Sequence, residues 1–166
     1  MSFKAGDSVV HPTYGVGRIL RLEDRRLAEA ETRRYYVVVA DRSTLWVPVD
    51  AGQGVGLRPL TSKRDLDRYR RLLKSDPIPL EKNHAKRRLE ITERLKEGSF
   101  QAMCEVVRDL TARGRGKSLN DADLALLQKT RIDLCREWAA SDGVSVEEAL
   151  REIDSLLAET QPARVE

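Results

Sequence analysis

Five basic side chains lie within thirteen positions of the chain and could bind phosphate: Lys82, Lys86, Arg87, Arg88 and Arg94. Lysine and arginine gain free energy when they displace the counterions that surround a nucleic acid. On a helix, Lys86 and Arg87 would be neighbours, with Lys82 one turn below Lys86. Such a face suits contact with the sugar-phosphate backbone better than the reading of base edges. The same charges also fit a solvated helix face without a ligand.

Trp46 is the second residue that could form a binding site. In the segment Leu45-Trp46-Val47, side chains alternate between two faces if the segment is a strand. If Leu45 and Val47 face a core, the indole lies outside and could anchor an interface. A packing role between two domains is an equal alternative.

Enzyme chemistry has little support in the sequence. Neither His11 nor His84 is followed by a ligand partner at position i+3 or i+4, which disfavours a metal site. Cys104 and Cys135 lie among apolar residues, as small core residues do. We therefore predict no catalytic residue, no metal, no cofactor and no small-molecule substrate.

Charge and hydropathy are unevenly distributed. The net charge is +3, but residues 60–96 contain 12 Lys/Arg against 6 Asp/Glu, and the chain after residue 96 is acidic. A basic block of this kind favours a polyanionic partner. No apolar run reaches the ~20 residues of a membrane span, and the first residues lack an apolar signal region. These features predict a cytoplasmic protein that does not enter a membrane.

The elements that would position these residues divide the chain in two. Residues 1–58 predict a small β domain, because short β-branched runs alternate with turns. The expected strands are 7–11, 16–23, 33–40 and 44–48, and their spacing is typical of a small closed barrel or curled sheet.

Residues 59–160 predict four to five helices, and residues 161–166 a frayed tail. Ser62, Ser99, Asn120 and Ser145 are the expected capping residues. The basic helix spans about 81–96, with Ala85, Leu89, Thr92 and Leu95 predicted to face inward. Residues 113–117 are expected to form a flexible basic loop.

Several segments together resemble the CarD/CdnL family of bacterial transcription regulators. They are residues 3–12 (FKAGDSVVHP), 14–17 (YGVG), 46–48 (WVP), 55–58 (VGLR), 105–110 (EVVRDL) and the helix entry at Ser118-Leu119. The resemblance covers about residues 2–158. The first half also resembles the polymerase-interacting module of the transcription-repair coupling factor, a translocase whose Walker motif is missing from this sequence.

The resemblance implies a fold, partners and site residues. It implies an α+β chain of two domains, in which a Tudor-like or SH3-like β-barrel that docks on the RNA polymerase β subunit precedes an all-α domain that contacts promoter DNA. Arg25 matches a polymerase-contacting arginine of the family, and Trp46 falls where some members have a basic contact residue. His84 stands where much of the family has a tryptophan that wedges into the minor groove at the upstream edge of the melted bubble. Lys86, Arg87 and Arg88 match the basic stretch that follows.

The expected function is therefore regulation of transcription, by binding the polymerase and modulating the stability of the open promoter complex. Because imidazole offers less stacking area than indole, His84 predicts a weaker wedge. The alternative is an adaptor that occupies the polymerase without a functional DNA wedge.

Overall fold

The computed structural model describes residues 2–26, 28–29, 31–50 and 56–159. The chain divides into two compact units after Leu60. Within these ranges, the first unit forms a five-stranded antiparallel sheet and the second contains five helices, so the predicted α+β organisation is confirmed. The predicted tail, residues 161–166, lies outside the described residues.

The sheet is formed by β1 (Ser8–His11), β2 (Gly15–Arg25), β3 (Arg33–Ala40), β4 (Ser43–Pro48) and β5 (Arg58–Pro59). Its strand order is β4-β3-β2-β1-β5, so β4 and β5 are the edges of an open ladder in the described part of the chain. β5 pairs with β1, and the Leu60 N–H donates to the Ser8 carbonyl at 3.3 Å, so the contacts of the first unit extend to Leu60.

One face of the sheet forms the core of the first unit. Val9, Ile19, Tyr36, Val38 and Val47 are buried there together. Gly17 lies where β2 and β3 approach closely, and a Cβ at this position would come within 2.9 Å of the Val39 carbonyl oxygen. This crowding explains why the strand has a glycine there.

The helices of the second unit are α1 (Leu66–Lys74), α2 (His84–Lys96), α3 (Phe100–Gly116), α4 (Asp121–Asp142) and α5 (Val146–Ala158). The predicted caps Ser99, Asn120 and Ser145 each accept a backbone N–H in the first turn of their helix. Ser62 also caps a turn, but it accepts from Asp65, the residue that directly precedes α1.

Two local predictions were wrong. Residues 113–116 are not a loop, because α3 continues to Gly116 and Leu119 packs at 3.4 Å from the position of a Cβ on Gly114. On α2, only Leu95 of the predicted stripe packs against the buried cluster that contains Val106 and Leu110. Leu89 is 62% exposed, and Ile91 is fully buried in its place. The face of a helix with alternating charges and leucines could not be chosen from leucine spacing alone.

Candidate functional site

Two surfaces contain the residues that the sequence singled out. The first, here called the indole surface, consists of Glu23, Arg25 and Trp46 on the outer face of the sheet. Leu45 and Val47 pack in the core of the first unit, so alternation along β4 places Trp46 on the opposite face, 41% exposed. The predicted orientation of Trp46 is therefore confirmed.

Arg25 and Trp46 are in contact on this face. β3 lies between β2 and β4, and Arg21 of β2 and Trp46 of β4 both pair with Val37. Their side chains, and that of Arg25 four residues after Arg21, therefore project from the same face of the sheet. The Arg25 guanidinium carbon lies 4.7 Å from the centroid of the indole ring, a cation–π geometry. Trp46 Nε1 donates to Glu23 Oε2 at 3.4 Å, which fixes the edge of the ring.

The indole surface adjoins an open strand edge. β4 is an edge strand, and in the described residues no strand pairs with its outer side. Unpaired backbone N–H and C=O groups can receive a strand from another chain. The indole surface and the β4 edge together offer side-chain and backbone contacts to a protein partner.

The second surface, here called the histidine cluster, consists of His84, Arg87, Asn120 and Asp123. It forms where the first turn of α2 meets the first turn of α4. Arg87 lies at its centre and is only 1% exposed. Its Nε and Nη2 both lie 2.8 Å from Asp123 Oδ2, and its Nη1 donates to the carbonyls of Glu81 and Lys82.

His84 lies at the exposed end of this cluster. The Arg87 Nη2 and the Asn120 Nδ2 approach its Nδ1 at 2.8 and 2.9 Å. Asn83 caps α2 by accepting from the Lys86 N–H at 3.0 Å, so the helix begins at His84. The ring is therefore held at a defined place on the surface.

The structure separates the predicted DNA-contacting residues into two groups. His84, Lys86 and Arg88 are exposed, and so is Lys82 in the preceding turn. Arg87 is interior and its three nitrogens all have protein partners, so the structure leaves it no surface for phosphate. Arg94, also part of the basic run, pairs with Glu105 at 3.0 Å and Asp109 at 3.5 Å.

Sequence reasoning missed Asp123, Glu23 and the second role of Asn120. Asn120 was predicted only as the cap of α4, which its Oδ1 indeed provides. Its contact with His84 joins residues that are 36 positions apart, and no local sequence pattern predicts such a pair.

The cysteines and the possible metal ligands do not form a reactive site in the described residues. Cys104 and Cys135 are buried, and burial raises the pKa of the Cys135 thiol to about 11, which keeps it protonated. In the described ranges, no group of three His, Cys, Asp or Glu side chains is arranged to hold a metal ion. None of the described helices has the length and apolarity needed to cross a bilayer.

Comparison with known proteins identifies the class. Residues 3–61 match the family model described as the CarD-like/TRCF RID domain, and residues 69–154 match the CarD C-terminal domain. The chain belongs to the CarD family and is a CarD-like transcription regulator. It is also similar to the Bacillus subtilis (strain 168) protein named "Putative transcription factor YdeB", with 28% identity over 148 residues, which is 86% of this chain and 94% of that protein.

Proposed function

We propose that this protein holds the β subunit of RNA polymerase with its first unit and promoter DNA with its second, and thereby changes the stability of the open promoter complex. The observation that carries the proposal is the match to both CarD family models in order along the chain, with an exposed site on each matched region. The protein acts in the cytoplasm, and it needs no catalytic step or cofactor.

The indole surface is the proposed polymerase contact. An exposed tryptophan beside an arginine has the composition of an interface hot spot. An extended segment of the β subunit would add to the β4 edge, where backbone pairing supplies affinity and Trp46 supplies specificity. The Arg25 charge would accelerate docking on an acidic partner and make it sensitive to salt.

The exposed residues in α2 and in the segment just before it are the proposed DNA contact. Lys82, Lys86 and Arg88 would bind phosphates at the upstream edge of the melted bubble, with His84 towards the minor groove. Contacts made better in the open complex than in the closed one shift the equilibrium towards open. A difference of about 1.4 kcal/mol would change the ratio of open to closed complexes tenfold.

One observation favours a second candidate, an adaptor that occupies the polymerase without engaging DNA. On the exposed face of α2, Leu89 lies between the basic residues, and a leucine offers nothing to phosphate. Arg87 and Arg94 are also committed to internal ion pairs. Both features leave α2 with fewer available cations than its sequence suggests.

The two candidates are separated by binding of the full-length protein to fork-junction DNA and to core polymerase. The proposed function predicts co-purification with the polymerase, crosslinks from the first unit to the β subunit, and DNA binding that weakens with salt. Lys86→Ala should lower the slope of log K against log salt by about 0.9, whereas Lys4→Ala should not change it. Polymerase binding without DNA binding at low salt would favour the adaptor, and no polymerase binding would refute both.

A further inference from the structure

The His84 imidazole is held by two donors on one nitrogen. Arginine carries no acceptor, so the Arg87 Nη2 can only donate to His84 Nδ1, at 2.8 Å. The Asn120 Nδ2 lies 2.9 Å from the same nitrogen. A proton on Nδ1 would face both donors.

The orientation of the Asn120 amide is fixed independently. Its Oδ1 accepts the backbone N–H of Asp123 at 2.8 Å as the cap of α4, so the other end of the amide, the NH₂ group, must face His84. Arg87 is equally constrained, because Asp123 and two backbone carbonyls hold its guanidinium in a buried position. Neither donor can turn away without loss of its own structural bonds.

We propose that Asn120 and Arg87 are positioning residues that keep the His84 proton on Nε2, and that this outward N–H donates a hydrogen bond to DNA. In the described part of the chain, no protein group lies within hydrogen-bond distance of Nε2, and the residue is exposed. This inference rests on the proposed DNA contact and specifies its chemistry. His84 acts as a fixed neutral donor rather than as a stacking wedge or a cation.

The ligand atom is a lone-pair acceptor of DNA, either a phosphate oxygen or a base atom of the minor groove. A neutral donor displaces no counterion, so it adds affinity without changing the salt dependence. This property distinguishes it from Lys86 and Arg88 a few residues further along α2.

The position of the proton can be measured without DNA. Nitrogen-15 NMR of the full-length protein should show His84 with its proton on Nε2. Asn120→Ser retains a capping hydroxyl but removes the amide donor, so it should increase the fraction of the Nδ1–H tautomer while α4 stays folded. A wild-type ring with its proton on Nδ1, or an unchanged tautomer in Asn120→Ser, would overturn the positioning role of Asn120.

The donor role is tested by His84→Phe, which keeps an aromatic ring but lacks the N–H. Affinity of the full-length protein for fork-junction DNA should fall about two- to tenfold, the contribution of one hydrogen bond, with the same salt slope as wild type. Equal binding by His84→Phe would show that the N–H contributes nothing, and tighter binding would show that the ring stacks. Either result would overturn the inference alone. If wild type binds no DNA at low salt, the proposed DNA contact fails, and the donor role fails with it.

Two DNA substitutions distinguish the acceptors. Exchange of A·T for G·C pairs at the upstream edge introduces an amino group into the minor groove, and it should reduce the difference between wild type and His84→Phe if a base atom accepts. Replacement of single phosphates by methylphosphonate should reduce the difference in affinity between wild type and His84→Phe if a phosphate oxygen accepts. A difference that neither exchange alters would overturn the assignment of a DNA acceptor.

Discussion

The two candidate surfaces use their central arginines in opposite ways. Arg25 lies on a partly exposed face and stacks on Trp46, and the described residues give it no carboxylate partner. Arg87 is buried and its guanidinium is enclosed by Asp123, two carbonyls and His84. A basic residue in a matching motif can therefore be open to a partner, as Arg25 is, or can hold two helices together, as Arg87 does. Only the first kind can be altered without disturbing the fold.

The largest expected effect comes from removal of the buried arginine. Arg87→Ala should lower the free energy of unfolding of the second unit by about 3–5 kcal/mol, because it leaves the buried Asp123 carboxylate without its partner. Urea denaturation followed by helical circular dichroism measures this loss. Arg88→Ala is the matched control, since the next residue is exposed and should change stability by less than about 0.5 kcal/mol. Equal effects of the two substitutions would show that the buried ion pair of Arg87 with Asp123 does not stabilise the second unit.

The next largest loss of stability is expected from substitutions that test which face of α2 is buried. Ile91→Ala should cost about 2–5 kcal/mol, because the side chain is fully buried between α2 and α3. Leu89→Ala should cost less than about 0.5 kcal/mol, since Leu89 is on the solvent face. The same denaturation experiment compares the pair. A costly Leu89→Ala would support the inward stripe predicted from the sequence and contradict the structure.

A smaller effect, on binding alone, is expected at the indole surface. Arg25→Glu should weaken capture of a β-subunit fragment by about tenfold or more, since it reverses a charge at the proposed interface. The melting temperature should change little, because an exposed cation–π pair contributes about 0.5–1 kcal/mol. Arg136→Glu, an exposed arginine of the second unit, controls for net charge. Normal capture by Arg25→Glu would remove Arg25 from the interface.

The contrast between the arginines also marks what a sequence can predict. Strand alternation placed Trp46 outside the core, and capping residues located the starts of three helices, because both signals depend only on near neighbours. The family resemblance was confirmed by both family models.

The face of α2 could not be predicted in the same way. Arg87 is buried because Asp123, 36 positions away, neutralises it, and Leu89 is exposed as a consequence. A leucine stripe predicts the inward face only when no charged residue has a buried partner from another helix. The contact of Asn120 with His84 was missed for the same reason.

The smallest expected effect concerns His11 in the first unit. It tests whether the Nδ1 of His11 acts as a hydrogen-bond acceptor, as the Nδ1 of His84 does in the second unit. His11 Nδ1 accepts the backbone N–H groups of Thr13 and Tyr14 at 3.0 and 3.2 Å, and burial lowers its pKa below the usual 6.5. The unfolded chain then binds more protons than the folded one between about pH 6.5 and the lower pKa of the folded state, so stability falls as the pH decreases through that window.

His11→Asn keeps a hydrogen-bond acceptor but does not titrate, so it should remove the contribution of His11 to the pH dependence of stability. The carboxylates contribute equally to wild type and to His11→Asn. Trp46 fluorescence in a Trp138→Phe background reports unfolding of the first unit between pH 8 and about pH 5.5, a range chosen to span the usual histidine pKa. Because the turn lies near the surface, the difference between the two proteins should be smaller than the effect of Ile91→Ala. Identical pH profiles would mean that His11 gains its proton without loss of the turn. The hydrogen bonds to Nδ1 would then fix the position of the proton only at His84, where the donors are side chains.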